Sequence, residues 1–474
     1  MRARVWGSVL LVIASAGCSL QPDRAPPEIA VPPAFKHDGP WRNANPSDRE
    51  VRGSWWEAFG DPLLNDLVVR IDAANPTLEA ALANRDRALA AMREAGADRL
   101  PTITATAQAS RERLSGGRPI GPGVPIETNQ YLAGASLAYE IDLWGRVRNA
   151  VAASRADASA AEANVEAVRL SLRATLADTY FRLRGLDAEQ ALLQRTVAAY
   201  ERASRLIGDR YDVGIASGVD RSRAASQLAD ARARAEAIAG ERAALEHSIA
   251  ILVGEVPSSF GIERAEQRVS LPRFTPGVPS ALLERRPDIA RAQRELSAAN
   301  ARIGVARAAL YPDLTLGLSG GVQAVQAPIF SAPNTFWALG PLSSLAALFD
   351  GGRRRARVDI SEAAYRRLAA DYRATVLDAF REVEDALART NALERQSQQQ
   401  SQAATAAART EELALIRYRD GAADYLDVVT AQTAALNAQQ ASIDVQVNRQ
   451  RAVIALVRAV GGGYSETRNS PSSS

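Results

Sequence analysis

The 474-residue chain has one cysteine, Cys18, two histidines, two methionines and a single lysine, Lys36. One cysteine excludes an intrachain disulfide and a cysteine-based zinc site. His37 and His247 are too few for a histidine-rich metal centre, and they leave only two candidate bases for a Ser-His-Asp triad. Neither sits in a metal-ligand pattern. Charge of one sign is also lacking, with 57 basic against 54 acidic residues. Removal of a leader carrying Arg2 and Arg4 would bring the balance nearer zero, so the basic pI argues for no nucleic-acid partner. After Cys18 no apolar run is long enough for a membrane-spanning helix. Gly461-Gly462-Gly463 has no following Lys-Ser or Lys-Thr and reads as a helix terminator, not a phosphate loop. No catalytic residue, metal ligand or cofactor site emerges, and the chain reads as no enzyme.

What is abundant is Ala, Arg, Glu, Asp, Gln and Leu, a mixture that favours long helices. Residues 1–17 read as a signal peptide: a basic start at Arg2 and Arg4, an apolar stretch from Val5 to Ile13, and small residues before Cys18. The cysteine directly after that exit resembles a bacterial lipobox, with Ser15 where Leu is usual, so a covalent lipid on Cys18 is expected. A cleaved signal followed by a stray cysteine is the plainer account. Residues 18–50 are proline-rich and suit an extended tether. The tail 464–474 is expected to be disordered.

An internal repeat organises the rest. A shift of 207 residues superimposes Gly145–Gly254 on Gly352–Gly461 without a gap, pairing Arg210-Tyr211, Gly214 and Asp220 with Arg417-Tyr418, Gly421 and Asp427. A shift of 211 pairs Pro76 with Pro287 and Pro101 with Pro312. The copies are 51–255 and 281–463, joined by a Pro- and Gly-rich connector at 256–280. Each reads helix, two strands, very long helix, tight break, long helix. No proline occurs from Gly145 to Arg210, a helix of about 100 Å at 1.5 Å per residue. In the next helix Leu228, Ala231, Ala235, Ile238, Arg242, Leu245, Ile249 and Leu252 alternate steps of three and four, which is coiled-coil spacing.

Between the helices the period falls to two. Tyr131, Ala133, Ala135, Leu137 and Tyr139 share one face and Gly134, Ser136 and Glu140 the other, as in a strand with lipid outside and water inside. Thr102–Ser110 and Leu314–Gln323 alternate likewise, whereas Phe336–Asp350, with Pro341, is the poorest alternator. Tyr131 and Trp337 are candidates for an aromatic belt. Four strands cannot close a barrel and an open edge cannot face lipid, so a membrane reading requires oligomerisation. The competing class is a periplasmic coiled-coil scaffold without a pore. It gives no reason for repeated period-two stretches of membrane length.

Three strings resemble the outer-membrane efflux protein family, the TolC-type channels, in particular the NodT-like lipoprotein branch associated with resistance-nodulation-division pumps. They are Trp55–Leu64 with Asn75-Pro76, Tyr139–Arg146, and Pro279–Ile289 continuing to Arg307. The resemblance covers nearly the whole mature chain. It implies a mainly α fold with a β-barrel: a homotrimer with four transmembrane strands per subunit in one twelve-stranded barrel and long coiled-coil helices in a periplasmic tunnel. It implies an equatorial position for the connector, an outer-membrane location, and as partners a periplasmic adapter protein and an inner-membrane pump. The chain would passively conduct drugs or other small toxic compounds, with metal-ion or polypeptide export as alternatives in the same family. Gly214, Gly218 and Gly421 would mark the tip turns that meet the adapter. Arg210, Tyr211, Asp220, Arg417, Tyr418, Asp424, Leu426 and Asp427 would form the periplasmic gate. Thr430 and Thr433 stand where family members often carry Asp and Arg, which leaves Asp427 as the acidic candidate. Helix capping with solvated ion pairs is the competing account of these charges.

Overall fold

In the computed structural model the described residues are 19–25, 27, 36, 53–113, 115, 127–265, 272, 285–345 and 348–462. The expected signal peptide, Cys18, most of the expected tether, His37, the segment 116–125 and the tail 464–474 lie outside them. The chain forms two compact units, each drawn from both sequence repeats. One takes residues 1–28, 84–162 and 291–373, the other 29–83, 163–290 and 374–474. The repeat is thus a unit of sequence and not of packing.

The helices are α1 (Pro62–Ala74), α2 (Pro76–Ala97), α3 (Arg146–Asp212), α4 (Gly218–Leu252), α5 (Pro287–Ala308), α6 (Arg353–Arg419) and α7 (Tyr425–Ala459). The strands are β1 (Thr102–Arg113), β2 (Glu127–Glu140), β3 (Asp313–Ala324) and β4 (Thr335–Leu345). Displaced by 207, the bounds of α3 and α4 become those of α6 and α7; displaced by 211, those of α2 and β1 become those of α5 and β3. The fourth strand ends at Leu345, short of the expected Asp350, which instead starts the next helix.

The helix ends follow from local chemistry. Asp61 is the N-cap of α1, its carboxylate accepting from the Leu63 and Leu64 N–H groups at 3.0 and 3.2 Å. Ser217 and Asp220 form a reciprocal capping box at the start of α4. At the far end of α3 the Ile215 N–H reaches Arg210 O and the Gly214 N–H reaches Tyr211 O, which is the Schellman pair of bonds. The Ala422 N–H to Arg417 O and Gly421 N–H to Tyr418 O bonds repeat it after α6. Gly214 and Gly421 take φ of 77° and 74°, the left-handed conformation this motif requires.

In the second unit the core begins with Trp55, Trp56 and Phe59, which pack with Leu64, Leu67, Val68 and Ile71 of α1 against Leu176, Tyr180, Phe181 and Leu183 of α3. Ile249 of α4 and Ile454 of α7 complete it. The tryptophan pair is therefore a core anchor. Each such side chain contributes roughly 1.5–3 kcal/mol on burial. Further along, Leu192 and Leu193 of α3 meet Ile238 of α4 and Leu436 of α7, so the three-and-four pattern is the seam of the bundle.

A buried polar chain crosses this core. The Tyr180 hydroxyl donates to Asp61 at 2.5 Å and accepts from Arg184 Nε at 3.0 Å. Arg184 also donates to Asp187 and Glu263 O, and Arg242 to Asp187, Glu246 and Ile262 O. Burial, ahead of the Asp61 contact, pushes the Tyr180 hydroxyl far above its ordinary pKa, so it stays a donor. The two arginines thereby hold residues 262–263 of the connector against α3 and α4.

The repeat also recurs as a junction. Asn75 Nδ2 donates to Leu252 O at 2.7 Å, and Arg286 Nη1 donates to Ala459 O at 2.9 Å. These donors are 211 apart and their acceptors 207 apart, so different side chains capture equivalent helix-terminal carbonyls. A Cβ on Gly254 would lie 2.2 Å from Ala74 O, and one on Gly461 would lie 3.0 Å from Arg285 O. The helices meet this closely only with glycine at those corners.

Candidate functional site

The first unit carries the sheet, whose order is β1-β2-β3-β4 with antiparallel neighbours throughout. Its register lines up the alternating faces. Ile103 faces Leu137, Leu137 faces Leu318 and Leu318 faces Leu339, an apolar row across all four strands. Ala105, Ala135, Gly320 and Trp337 form the next row on that face. On the opposite face Thr104, Ser136, Ser319 and Ala338 align. Trp337 is 81% exposed, Leu339 72% and Ile103 72%, so the apolar face is bare among the described residues. The poor alternation of β4 has a cause: Gly340 and Pro341 together oppose Gly317, a bulge between the Leu316 and Leu318 pairs. Proline is tolerated because it stands within this bulge. Strands β1 and β4 each leave one edge unpaired among the described residues. No helix among the described residues is long and apolar enough to cross a membrane.

The passage from β2 into α3 is held by the residues the sequence singles out. Glu140 accepts twice from Arg146, at 2.7 and 2.5 Å, and Asp142 accepts the Val147 and Arg148 N–H groups at 3.1 and 2.8 Å. Trp144 stacks on Tyr311 with centroids 4.7 Å apart and donates to Pro312 O at 3.0 Å. The residue after Cys18 is seated beside this corner. Ser19 Oγ donates to Asn149 Oδ1 at 3.1 Å, Asn300 Nδ2 donates to Pro22 O at 2.9 Å, and Arg24 lies 5.0 Å over the Tyr365 ring.

The two helical turns lie in the second unit. Arg210 crosses from one hairpin to the other, with its guanidinium 5.0 Å over the Tyr418 ring and Nη2 3.5 Å from Arg419 O. Tyr418 in turn lies 5.5 Å from Tyr425, which is buried with Ile207, Ala224 and Val428. Burial first, then Tyr418, Tyr200 and Asp220, pushes the Tyr425 hydroxyl up to about 12. The other expected residues do not bridge the hairpins. Asp220 is engaged in its own capping box, and Arg417 donates to Ala422 O in its own turn at 3.1 Å. Tyr211 lies under Arg221 of the same hairpin. Asp424 makes no side-chain cap bond, and Asp424, Leu426 and Asp427 are exposed. Thr430 and Thr433 turn back to the carbonyls of Leu426 and Val429. Gly218 opens α4 and leaves room beside Tyr211. Among the described residues the gate candidates therefore meet across the hairpins through Arg210 and Tyr418, with Tyr418 resting on Tyr425, and the carboxylates of Asp424 and Asp427 are exposed. The first turn also presents Val213, Ile215 and Val219 to solvent, which the sequence reading overlooked. His247 is exposed on α4.

A bundle of paired long helices joined in sequence to a four-stranded sheet with one apolar face is the architecture of a channel subunit. The outer membrane efflux protein family matches residues 67–255 and 278–462, the two repeats, and the chain belongs to that family. It is 32% identical to the outer membrane protein OprJ of Pseudomonas aeruginosa over 474 residues, which are 99% of this chain and 98% of that one. It is 33% identical to the pyoverdine export outer membrane protein OpmQ of the same organism over 439 residues, 90% and 91% of the two chains. Among solved structures, the outer-membrane channel OprN superimposes with a TM-score of 0.86 at 30% identity, covering 94% of this chain and 99% of that one. The protein is thus an outer-membrane efflux channel of the TolC-like fold.

Proposed function

We propose that three copies of this chain associate through the open edges of β1 and β4 into one twelve-stranded barrel, with their long helices forming a periplasmic tunnel. The apolar row from Ile103 to Leu339 carries the reading, because a bare apolar face on an edge-open sheet has one stable solution in lipid, which is closure with further copies. The channel works passively. An inner-membrane pump of the resistance-nodulation-division class supplies the energy, and a periplasmic adapter meets the turns at Gly214, Gly218 and Gly421. Exposed Val213, Ile215 and Val219 fit such a contact, since they find no cover among the described residues. The exposed carboxylates of Asp424 and Asp427 sit where copies converge, and with Arg210, Arg417 and Leu426 they narrow the tip. The cargo is a small organic compound, consistent with the pyoverdine export in OpmQ's name. No chemical step is assigned to any residue, and the chain acts without a cofactor. Residues 18–50 tether the body, and Cys18 carries a lipid. The seat of Ser19 beside the β2–α3 corner supports this, because a chain held there is consistent with an anchor at the membrane end of the body.

Mass measurement of the detergent-solubilised protein tests the assembly. Wild type is expected as a trimer, and Leu137→Asp, which sets a charge in the apolar row, as monomer. An unaltered trimer with undiminished export in Leu137→Asp overturns the assignment and returns the pore-free scaffold. Mass spectrometry of the mature N-terminus decides Cys18, an unacylated cysteine refuting the lipid.

A further inference from the structure

The two copies of the repeat end their strands differently. In the first, Glu140 clasps Arg146 at the start of α3. In the second, Asp350 clasps Arg354, and the five residues before Asp350 are Leu345-Ala346-Ala347-Leu348-Phe349, with no carboxylate. Arg353, the counterpart of Arg146, has lost its partner. Arg357 stands where the first copy has Ala150, so a cation has been added. Arg353 and Arg357 are four apart on one helical face, exposed, and without a side-chain ion pair or hydrogen bond among the described residues. Glu362, half a turn around α6, binds Arg307 of α5, so the arginine face points away from that helix. Both cations lie in the first two turns of α6, where the helix dipole opposes positive charge; the first turn has no acidic residue of its own and is capped by Asp350. Just before them Leu348 and Phe349 are 99% and 90% exposed.

We propose that Leu348, Phe349, Arg353 and Arg357 form a seat for an anionic glycerophospholipid at the periplasmic end of β4. The apolar pair takes the acyl region, and the arginines take the phosphate. A phosphate there satisfies the unpaired guanidinium groups, and the exposed leucine and phenylalanine then face hydrocarbon. A carboxylate on a neighbouring copy would answer the arginines but leave the apolar pair in water. The proposal rests on the membrane reading of the sheet, and the seat would fix the depth of the channel at the end of β4.

The test uses full-length protein in detergent with dioleoylphosphatidylglycerol or dioleoylphosphatidylcholine, counting retained lipids by native mass spectrometry. Wild type should retain the anionic lipid preferentially, R353Q/R357Q should bind it about thirtyfold more weakly, and R353K/R357K should keep most of the preference. No preference in wild type, or an unchanged preference in R353Q/R357Q, overturns the proposal. So does dissociation of R353Q/R357Q into monomers that still retain the lipid, which would assign the arginines to a neighbouring copy. Flotation of wild type with phosphatidylcholine vesicles separates the two readings. A protein that floats but shows no lipid preference refutes the seat alone, and one that does not float refutes the membrane reading and the seat with it.

Discussion

Replacing Asp61 by alanine should loosen the start of α1 far more than its position before a surface helix suggests. The carboxylate is 1% exposed and serves three donors, the Leu63 and Leu64 N–H groups and the Tyr180 hydroxyl. Losing the cap costs about 1 kcal/mol, and up to about 2 in well-packed cases. Leaving the buried Tyr180 hydroxyl without its acceptor adds about 1–3 kcal/mol. A sum near 3 kcal/mol corresponds to about a hundredfold change in an opening equilibrium. Hydrogen exchange read on peptides covering residues 61–71 should therefore accelerate by about that factor under conditions where exchange follows the opening equilibrium. Tyr180→Phe in the same background removes the orphaned donor, so the double variant should exchange more slowly than the two single effects predict. An acceleration below about tenfold, or strict additivity of the pair, would refute the claim that this buried chain anchors α1 to α3.

The corners give a contrast that thermal unfolding can read. Gly421→Ala meets no atom within 4 Å and should cost about 1–2 kcal/mol from its left-handed backbone alone, whereas Gly254→Ala, with its Cβ 2.2 Å from Ala74 O, should cost clearly more. Equal losses would contradict the packing at that junction. Tyr425 has a folded pKa raised to about 12, so its contribution to stability is present below about pH 10 and is lost as pH rises through 12. Melting temperatures across that window should fall less in Tyr425→Phe than in wild type, and parallel curves would refute the role given to its burial. Burial likewise raises the pKa of Glu411, so its stabilising effect is present below the ordinary carboxylate range and lost as pH rises through the folded value. Glu411→Gln should accordingly melt higher than wild type at pH 7 and show no gain at pH 4; a gain at both would point to some other cause.

Much of this architecture could be read from residues. The helix ends were legible because glycine and capping side chains act locally, and the duplicated Arg-Tyr and Gly positions set both tips in register. The strands were legible where one face is apolar throughout, as in Tyr131–Tyr139. In β4 the bulge at Gly340 and Pro341 breaks the period, so pattern alone extended the strand to Asp350, whose real task is to cap α6. The tip charges illustrate another limit. Spacing alone does not distinguish Asp220 reaching across to the other hairpin from Asp220 satisfying Ser217, and the nearer backbone won. Least legible were the long-range contacts. Asn75 and Arg286 occupy equivalent places and capture equivalent carbonyls, yet they share no chemistry that an alignment of the two copies would match. The partners of Arg184 and Arg242 at 262–263 lie in a connector whose irregular composition announces no contact at all.

The most direct measurement of the central claim is single-channel conductance of the purified, detergent-solubilised oligomer in a planar bilayer, comparing wild type with Asp427→Ala. The account predicts discrete, stable current steps, larger in Asp427→Ala because one ring of carboxylates at the tip is removed. Silence from wild type, from Asp427→Ala and from a variant combining changes at Tyr418 and Asp424 would contradict it, and would leave a periplasmic scaffold as the better description.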